Sequence, residues 1–395
     1  MRATTGPART WPLALALVAV GVNLRSTIAA VPPLVDTIEA DLGLSSLWSG
    51  VLTTLPVLCM GVFAPLAARL AHRIGPAAAV QLAVLSVTIG VAARLAGSHR
   101  SALYAGTVLA GIGLAVAGTL LPSLIKQLFP PGRAGLVTGL YMFSMMGGAA
   151  LSAALSVPLA RWLGSWQASL ASWAVLGLVG ALAWLPLAGR ERRERVRGDL
   201  DEPHRLPWTH PTAWLVAGYL AVQSWQFYSS LAWVAPSYVA HGWTPTSAGY
   251  LLSGFTLAQL VSGLVGPALT DRVHDRRILL IASGFLGVLG MAGLTFAPEG
   301  APWLWVALLG LGQGAAFSLG LVLLVDYART PAGSGRLAAM CFFVGYLLAS
   351  FGPATMGALR DLTGGFHATW LALLCLMAVQ IGLAALLRPT LRRVD

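Results

Sequence analysis

The sequence predicts an all-α membrane protein with twelve transmembrane helices, and three observations lead to this prediction. Apolar residues make up 57% of the 395 positions and charged residues only 10%, a balance that soluble globular proteins of this length do not show. Twelve apolar runs are each long enough to cross a bilayer as a helix. Residue patterns recur after about 200 positions, as expected for two pseudo-symmetric six-helix bundles.

The apolar runs follow one another through short polar connections, with one longer polar interval between the sixth run and the seventh. This interval, residues 189–211, is rich in Arg and Glu and is predicted to link an N-terminal bundle, 1–188, to a C-terminal bundle, 212–395. The first run is too long for a signal peptide and is interpreted as a retained helix. The predicted spans are 11–35, 47–70, 76–96, 101–127, 134–160, 166–188, 212–240, 246–270, 277–297, 301–325, 333–359 and 366–388.

Basic residues set the predicted orientation. With the N-terminus inside, 20 of the 25 Lys and Arg residues fall on the inner side, Arg25 lies within a span, and only Arg94, Arg100, Arg161 and Arg360 fall on the outer side. Positive charge concentrates in cytoplasmic loops, so both termini are predicted to be cytoplasmic and the protein to lie in the bacterial inner membrane. The net charge of +11 therefore indicates orientation in a lipid bilayer, and nucleic acid is not an expected partner.

The internal repeat rests on four pairs of matching segments. Their offsets drift smoothly, which independent chance matches would not do, and they indicate two parallel repeats. In transporters built this way, the substrate site is expected at the midplane between the two bundles. The segments are 23–25 with 226–228, 64–65 with 266–267, 111–113 with 312–314 and 161–164 with 360–364, at offsets of 203, 202, 201 and 199.

Arg25 is the most informative single residue, because it puts a permanent charge inside the first span. At 1.5 Å per residue it lies about 15–20 Å from either end, too far for the side chain to reach the headgroups. No Asp or Glu lies deep in any predicted span, so an anionic substrate held by the guanidinium fork is the favoured partner. The alternative interpretation is an arginine bonded to helix carbonyls as part of a gate.

The seventh span combines aromatic rings with amide and hydroxyl groups. Gln226 and Tyr228 align with Asn23 and Arg25, and Trp225 adjoins them, so these residues are predicted to sandwich and hydrogen-bond a planar solute. Ordinary helix packing is the alternative for this segment. Weaker candidates for substrate contact, each equally interpretable as a helix–helix hydrogen bond, are Tyr141, Gln313 and Tyr346.

Segment 266–277, with Gly266, Asp271, Arg272 and two further arginines, resembles the signature of the major facilitator superfamily. In that family the signature occupies the cytoplasmic loop between the second and third helices of each half. The first-half copy, residues 64–73, keeps Arg69 but has Ala where the family usually has Asp. The resemblance implies the superfamily fold, with gating roles for Gly266, Asp271, Arg272 and Arg69.

Several shorter segments are similar to one branch of the superfamily, which contains cyanate and 2-nitroimidazole transporters. The similarity runs from about residue 20 to 385 and implies a small, often planar, anionic or polar substrate. Gly118-Thr119 departs from it, since the branch is expected to have Asn there. The segments are 23–25, 52–58, 121–126, 135–141 and 310–314.

These observations predict a secondary active or facilitative transporter that moves a small anionic or polar planar solute by rocker-switch alternating access, with Arg25 as the substrate clamp. An enzyme is not expected, because no buried acid–base or nucleophile constellation is present in the sequence. Neither a cofactor nor a metal is expected, since the three cysteines all fall inside apolar runs.

Energetic coupling and alternatives stay open at this point. Membrane carboxylates and midplane histidines are lacking, which leaves uniport, anion exchange, or symport with an ion or proton in which Arg25 takes part. The alternatives are a proton-driven multidrug exporter and a transport-dead membrane sensor on the same fold. A monomer is expected, because the two bundles already form the cavity.

Overall fold

A computed structural model of the protein describes residues 10–129, 131–191, 206–270, 272–273 and 275–394. In these ranges the chain is almost entirely helical, and an isolated bridge joins Ala328 to Val394. Two short 3-10 segments, Pro32–Leu34 and Ala93–Ala96, interrupt the helices. The helices are α1 (Thr10–Ala29), α2 (Val35–Leu42), α3 (Ser46–Val62), α4 (Ala64–Ile74), α5 (Pro76–Ala92), α6 (Arg100–Leu128), α7 (Pro131–Leu163), α8 (Trp166–Ser172), α9 (Ala174–Glu191), α10 (Pro211–Ala240), α11 (Pro245–Leu269), α12 (Arg276–Phe296), α13 (Pro302–Asp326), α14 (Pro331–Thr363) and α15 (His367–Leu386).

The all-helical membrane architecture is confirmed, but the count of twelve spans is not reached on apolar character alone. Among the described residues, ten helical stretches are long and apolar enough to cross a membrane, or eleven if α3 and α4, bent by 53°, form one span. The seventh predicted span coincides with α10, which is not among them. Gln223, Gln226 and several serines lower the hydropathy of α10, and these side chains are buried inside the protein.

The first predicted span, 11–35, is not one continuous helix. Helix α1 ends at Ala29, and Pro32 and Pro33 open a 3-10 turn before α2. Proline has no backbone N–H to continue the helical bonding and disfavours the helical conformation of the residue before it. The break leaves carbonyl groups near the end of α1 available to side chains, and Arg94 donates to that of Thr27.

The chain forms two compact units. Unit 1 comprises residues 1–31 and 62–200, and unit 2 comprises residues 32–61 and 201–395. Helix α3 therefore belongs with α10–α15, although it precedes most of the helices of unit 1 in the sequence. The bundle boundaries 1–188 and 212–395, with the linker 189–211, stay a prediction.

Glycines allow close helix packing at equivalent places in both units. A methyl group on Gly90 of α5 would lie 2.5 Å from the backbone nitrogen of Ala110 in α6. A methyl group on Gly290 of α12 would lie 2.5 Å from the backbone nitrogen of Leu309 in α13. These glycine-rich spans pack helix against helix at backbone distance, as small residues do in membrane proteins.

Candidate functional site

Arg25 lies on α1 in unit 1 and is half-buried. Tyr141 of α7 is buried and packs against α1 close to Arg25, since a methyl group on Gly21, about one turn before Arg25, would lie 3.2 Å from Cδ2 of Tyr141. The two helices approach closely here, since a methyl group on Gly148 of α7 would lie 2.8 Å from the Cα atom of Val22. Arg25 and Tyr141, two of the predicted substrate-binding residues, are thus brought together within one unit.

Asn23 lies only two positions before Arg25, yet its side chain points elsewhere. The Asn23 amide is fully buried, and both of its polar atoms would lie 3.1 Å from a methyl group on Gly177 of α9. Within the described chain neither amide atom has a hydrogen-bond partner. Successive helical residues are about 100° apart, so residues two positions apart face nearly opposite directions. The role of Asn23 as an orienting group for substrate stays a prediction.

In unit 2, Gln226 belongs to a chain of buried glutamine side chains that we call the amide chain. Gln226 donates to Gln380 of α15 at 2.7 Å and accepts from Gln313 of α13 at 3.4 Å. Gln223 donates to the Gln313 side chain at 3.1 Å. Gln226 and Gln313 are therefore hydrogen-bonded across helices, the alternative that the sequence left open for Gln313.

The residues of unit 1 that are equivalent to the Gln226–Gln380 pair of unit 2 do not form a pair of amides. The offset of 203 that pairs Asn23 with Gln226 also pairs Gly177 with Gln380. In unit 2 the pair is two amides 2.7 Å apart, whereas in unit 1 the asparagine faces a glycine. At equivalent backbone positions, unit 2 thus has a hydrogen-bonded amide, whereas in unit 1 the amide has no partner among the residues that the structure describes.

Tyr228 aligns with Arg25 in the repeat and lies in an aromatic cluster of unit 2. Its hydroxyl donates to the Met60 sulfur of α3 at 3.9 Å, and its ring makes an edge contact with Tyr346 of α14, with centroids 6.5 Å apart. Tyr346 in turn stacks on Phe342 at 5.7 Å and 11°. Trp225, one turn before Tyr228, is half-buried, and its buried indole N–H has no partner among the described residues.

In the signature segment 266–277, the ion pair with another helix is made by Arg276, which the sequence analysis did not single out. Arg276 pairs with Asp326, at the end of α13, with Nε and Oδ2 3.0 Å apart, and also donates to the Thr270 and Val273 carbonyls. Arg272 is exposed, and Asp271 lies outside the described residues.

The other predicted gating residues, Gly266 and Arg69, lie in different surroundings. Gly266 is buried, and a methyl group there would lie 2.9 Å from Ser318 Oγ in α13. Gly266 therefore allows α11 to approach α13. Arg69 on α4 is exposed. Hydrogen bonds from Arg277 hold the pKa of the partly exposed Asp275 carboxyl below its usual value.

A second group of charges joins α2 and α3 to α14, and we call it the Arg360 cluster. Arg360 pairs with Glu39 at 3.3 Å and Asp36 at 3.6 Å, and its guanidinium carbon lies 4.6 Å from the centroid of the Phe366 ring. The neighbouring Asp361 accepts from the backbone nitrogens at the start of α3. The sequence analysis placed Arg360 on the outer side of the membrane but did not identify its acidic partners.

Helix α3 lies directly against α14 below this cluster. A methyl group on Gly50 would lie 2.8 Å from the carbonyl carbon of Pro353, and one on Gly61 would lie 3.2 Å from the backbone nitrogen of Leu347. Contact at both ends of α3 means that the two helices pack along most of their shared length. In the sequence these helices come from different predicted bundles.

Arg94, which the sequence analysis counted among the outer-side basic residues, has a buried side chain. The residue is 1% exposed, in the 3-10 segment that follows α5, and its Nη1 donates to the Thr27 carbonyl at 2.9 Å. Sequence position at the end of an apolar run could not distinguish a buried arginine from an exposed one.

Within the ranges that the structure describes, no group of three or more His, Cys, Asp or Glu residues is arranged to hold a metal ion.

The comparisons with known proteins agree on one family. The family model described as Major Facilitator Superfamily matches residues 13–239 and 224–395. The chain is 33% identical over 368 residues to the 2-nitroimidazole transporter of Escherichia coli K12, covering 93% of each protein. It is 31% identical over 368 residues to the cyanate transport protein CynX of the same organism, covering 93% of this chain and 95% of CynX. The inward-open xylose transporter XylE of E. coli has a similar fold, with a TM-score of 0.76, 15% identity and 95% coverage of both chains.

Proposed function

Because the chain belongs to the major facilitator superfamily and is a multi-pass membrane transporter, we propose that it moves a small anionic or polar planar solute across the bacterial inner membrane. The observation that carries the proposal is Arg25, a permanent cation half-buried within a membrane helix beside Tyr141. The names of two relatives give solutes of this kind, since cyanate is a small anion and 2-nitroimidazole is a planar polar ring.

Arg25 supplies the chemistry that such an anion needs. A guanidinium presents parallel N–H donors that match two oxygens, or one terminal atom, of a small planar or linear anion. Partial burial lowers the local dielectric and so strengthens the attraction, while partial exposure leaves room for a solute to arrive. The hydroxyl of Tyr141 adds a polar group beside the same side chain.

The aromatic cluster of unit 2 supplies groups suited to a planar solute. Tyr228 and Tyr346 offer ring faces and edges, and the half-buried Trp225 offers an indole N–H that no described residue accepts. Aromatic rings with polar edges bind flat molecules by stacking while their N–H or O–H groups fix orientation. We assign these three residues to solute contact, and Gln226 and Gln313 to holding α10 in place beneath them.

Alternating access requires contacts that close one side of the membrane and then break. Helices α3 and α14 come from different predicted bundles, and the Arg360 cluster ties their ends. On the predicted orientation this cluster closes the outer side, and Arg276 with Asp326 forms part of the inner gate. Both termini are cytoplasmic in this proposal, and the transporter works as a monomer.

The test is ligand-dependent thermal stabilisation of purified protein, followed by uptake into proteoliposomes. Cyanate, 2-nitroimidazole and a lipophilic organic cation are compared on wild type, Arg25→Ala and Arg25→Lys, with Arg161→Ala as an exposed control on the same unit. A bound ligand raises the melting temperature by mass action. Anions or the planar ring should stabilise wild type and Arg161→Ala, should fail to stabilise Arg25→Ala, and should act weakly on Arg25→Lys.

Each alternative has its own signature in the same experiment. Stabilisation by the organic cation, equal in wild type and Arg25→Ala, would replace this proposal with a drug exporter. Stabilisation by anions without any measurable flux would favour a sensor on the transporter fold.

A further inference from the structure

The C-terminal tail, residues 387–394, is held on unit 2 through backbone atoms of the tail. The Arg388 carbonyl accepts from the hydroxyl of Tyr327, directly after α13, at 3.0 Å. The Arg392 carbonyl accepts from the hydroxyl of Thr212, in the first turn of α10, at 2.8 Å. Because α15 ends directly before the tail, the tail joins the ends of three helices.

The tail ends in a short backbone pairing with the segment after α13. Val394 is buried, donates to the Tyr327 carbonyl at 2.7 Å and accepts from the backbone nitrogen of Arg329 at 2.9 Å. Earlier in the tail, the backbone nitrogen of Leu391 donates to the Arg388 carbonyl at 3.1 Å and closes a turn. The tail is therefore a compact segment, and none of these bonds uses an arginine side chain.

Three arginine side chains of this segment are exposed, and we call them the tail arginines. They are Arg388, Arg392 and Arg393. None of the ion pairs formed within the described parts of the chain includes them, and the carboxylate at the end of α13, Asp326, is paired with Arg276. Three like charges on one compact segment attract an anion from outside the chain.

Exposed apolar side chains lie close to this positive charge. Leu386 of α15, two positions before Arg388, is 54% exposed. Val325 of α13, two positions before Tyr327, is 67% exposed. Trp214, in the first turn of α10, is 47% exposed, and tryptophan is enriched where membrane helices meet the headgroups. Apolar surface on all three helices therefore reaches the level of the tail. A soluble anion would gain nothing from this surface, whereas a lipid would cover it.

We propose that the tail arginines bind the phosphodiester headgroup of an anionic phospholipid, such as phosphatidylglycerol, whose acyl chains lie against the exposed ends of α13 and α15. Guanidinium groups match phosphate oxygens through parallel N–H donors, and basic clusters at the ends of membrane helices attract anionic lipids. The lipid thereby fastens the tail and the three helix ends to the membrane surface. The site does not depend on the proposed function, because no transported solute takes part in it.

The first test compares lipid-dependent melting temperatures of the purified protein in detergent. The additions are phosphatidylglycerol, phosphatidylcholine and soluble glycerol phosphate. The test variant combines Arg388→Gln, Arg392→Gln and Arg393→Gln, which keep the backbone bonds of the tail. The control variant removes the same charge from exposed arginines of unit 1 and combines Arg73→Gln, Arg100→Gln and Arg161→Gln.

Phosphatidylglycerol should raise the melting temperature of wild type and of the control variant more than phosphatidylcholine does, because a bound ligand stabilises the folded state. The test variant should lose this difference, since each arginine near the membrane surface contributes about fivefold to anionic-lipid affinity. Glycerol phosphate should have little effect on any of the three proteins, because it lacks the acyl chains.

Three results would overturn the proposal. Equal stabilisation of wild type by the two lipids would mean that the headgroup charge is not recognised. A lipid difference in the test variant as large as that in wild type would place the anionic lipid elsewhere. An effect of glycerol phosphate as large as that of phosphatidylglycerol would make the tail arginines a site for a soluble anion.

A second measurement keeps the tail arginines and so does not depend on the folding of the test variant. A fluorescent label on Leu386→Cys, with Cys375→Ser removing the exposed native cysteine, is quenched by lipids that carry a nitroxide on the acyl chain. The same label on Leu362→Cys, 85% exposed at the end of α14, is the control. Phosphatidylglycerol should quench the label at Leu386 more strongly than phosphatidylcholine, and both lipids should quench the control label equally. Equal quenching by the two lipids at Leu386 would overturn the proposal.

Discussion

The carboxylate of Asp361 in α14 accepts a hydrogen bond of 2.9 Å from the backbone nitrogen of Ser46, 315 residues away, and thereby caps the N-terminus of α3. The second carboxylate oxygen accepts from the backbone nitrogen of Leu47 at 2.8 Å. Helix N-termini carry unpaired N–H groups and partial positive charge, so a carboxylate satisfies both. In most helices the cap is a neighbouring residue, whereas here it ties two predicted bundles together.

Removing this cap should loosen the contact between α3 and α14. Asp361→Ala leaves two N–H groups unsatisfied and should cost about 1–2 kcal/mol, as loss of a helix cap does. Apparent melting temperature measures the loss, and thiol labelling of a single cysteine at Leu47 measures opening. Asp361→Asn is the matched control, because an amide oxygen can still accept one bond, so its effect should be smaller. Equal effects of the two variants would show that charge alone matters.

Exchanging charges should test the ion pairs of the Arg360 cluster. Arg360→Glu places like charges beside Asp36 and Glu39 and should favour separation of α2 from α14, seen as faster labelling at the same cysteine. Each pair is partly exposed and is worth roughly 1 kcal/mol at most. Adding Glu39→Arg to Arg360→Glu should restore slower labelling. If the double variant labels as fast as the single one, the pair does not hold these elements together.

The amide chain should behave as one coupled unit. Gln226→Leu leaves the Gln380 and Gln313 amides without partners and should cost about 1–3 kcal/mol, since buried polar groups that lose their partners are expensive. Gln380→Leu should cost a similar amount. The double variant should cost less than the sum of the two, because a shared bond is lost only once. Strict additivity in melting temperatures would mean that the two amides contribute independently.

The packing of α11–α13 around the signature segment 266–277 should depend on Arg276 and not on Arg272. Arg276→Gln removes the pair with Asp326 and the bonds to the Thr270 and Val273 carbonyls, so transport and melting temperature should both fall. Arg272→Gln changes an exposed side chain and should lower melting temperature little. A larger loss in Arg272→Gln would restore the gating role that the family signature implied for that residue.

Several features could be predicted from the sequence because they depend on local composition or on the repeat. The lengths of the apolar runs predict most of the helices. Segment 266–277 gives the family, which the family model and the relatives confirm. The placement of Arg25 within an apolar run is also visible without any structure.

Side-chain direction and pairing were decided only by the tertiary structure. Asn23 and Arg25 are two positions apart, and only the packing of α9 and α7 around α1 shows which one meets Gly177 and which one meets Tyr141. Of the arginines in segment 266–277, Arg276 is the one that pairs with Asp326, and the position of the end of α13 decides this.

The tertiary structure also decided which charged side chains are buried. The sequence places Arg94 at the outer end of an apolar run, and only the structure shows that its side chain is buried and donates to the Thr27 carbonyl near the end of α1. The sequence by itself determined which segments are helices and to which family they belong, because these depend on hydropathy and motif spacing. Tertiary structure decided which polar groups find partners, because those partners lie tens to hundreds of residues away and are selected by packing geometry.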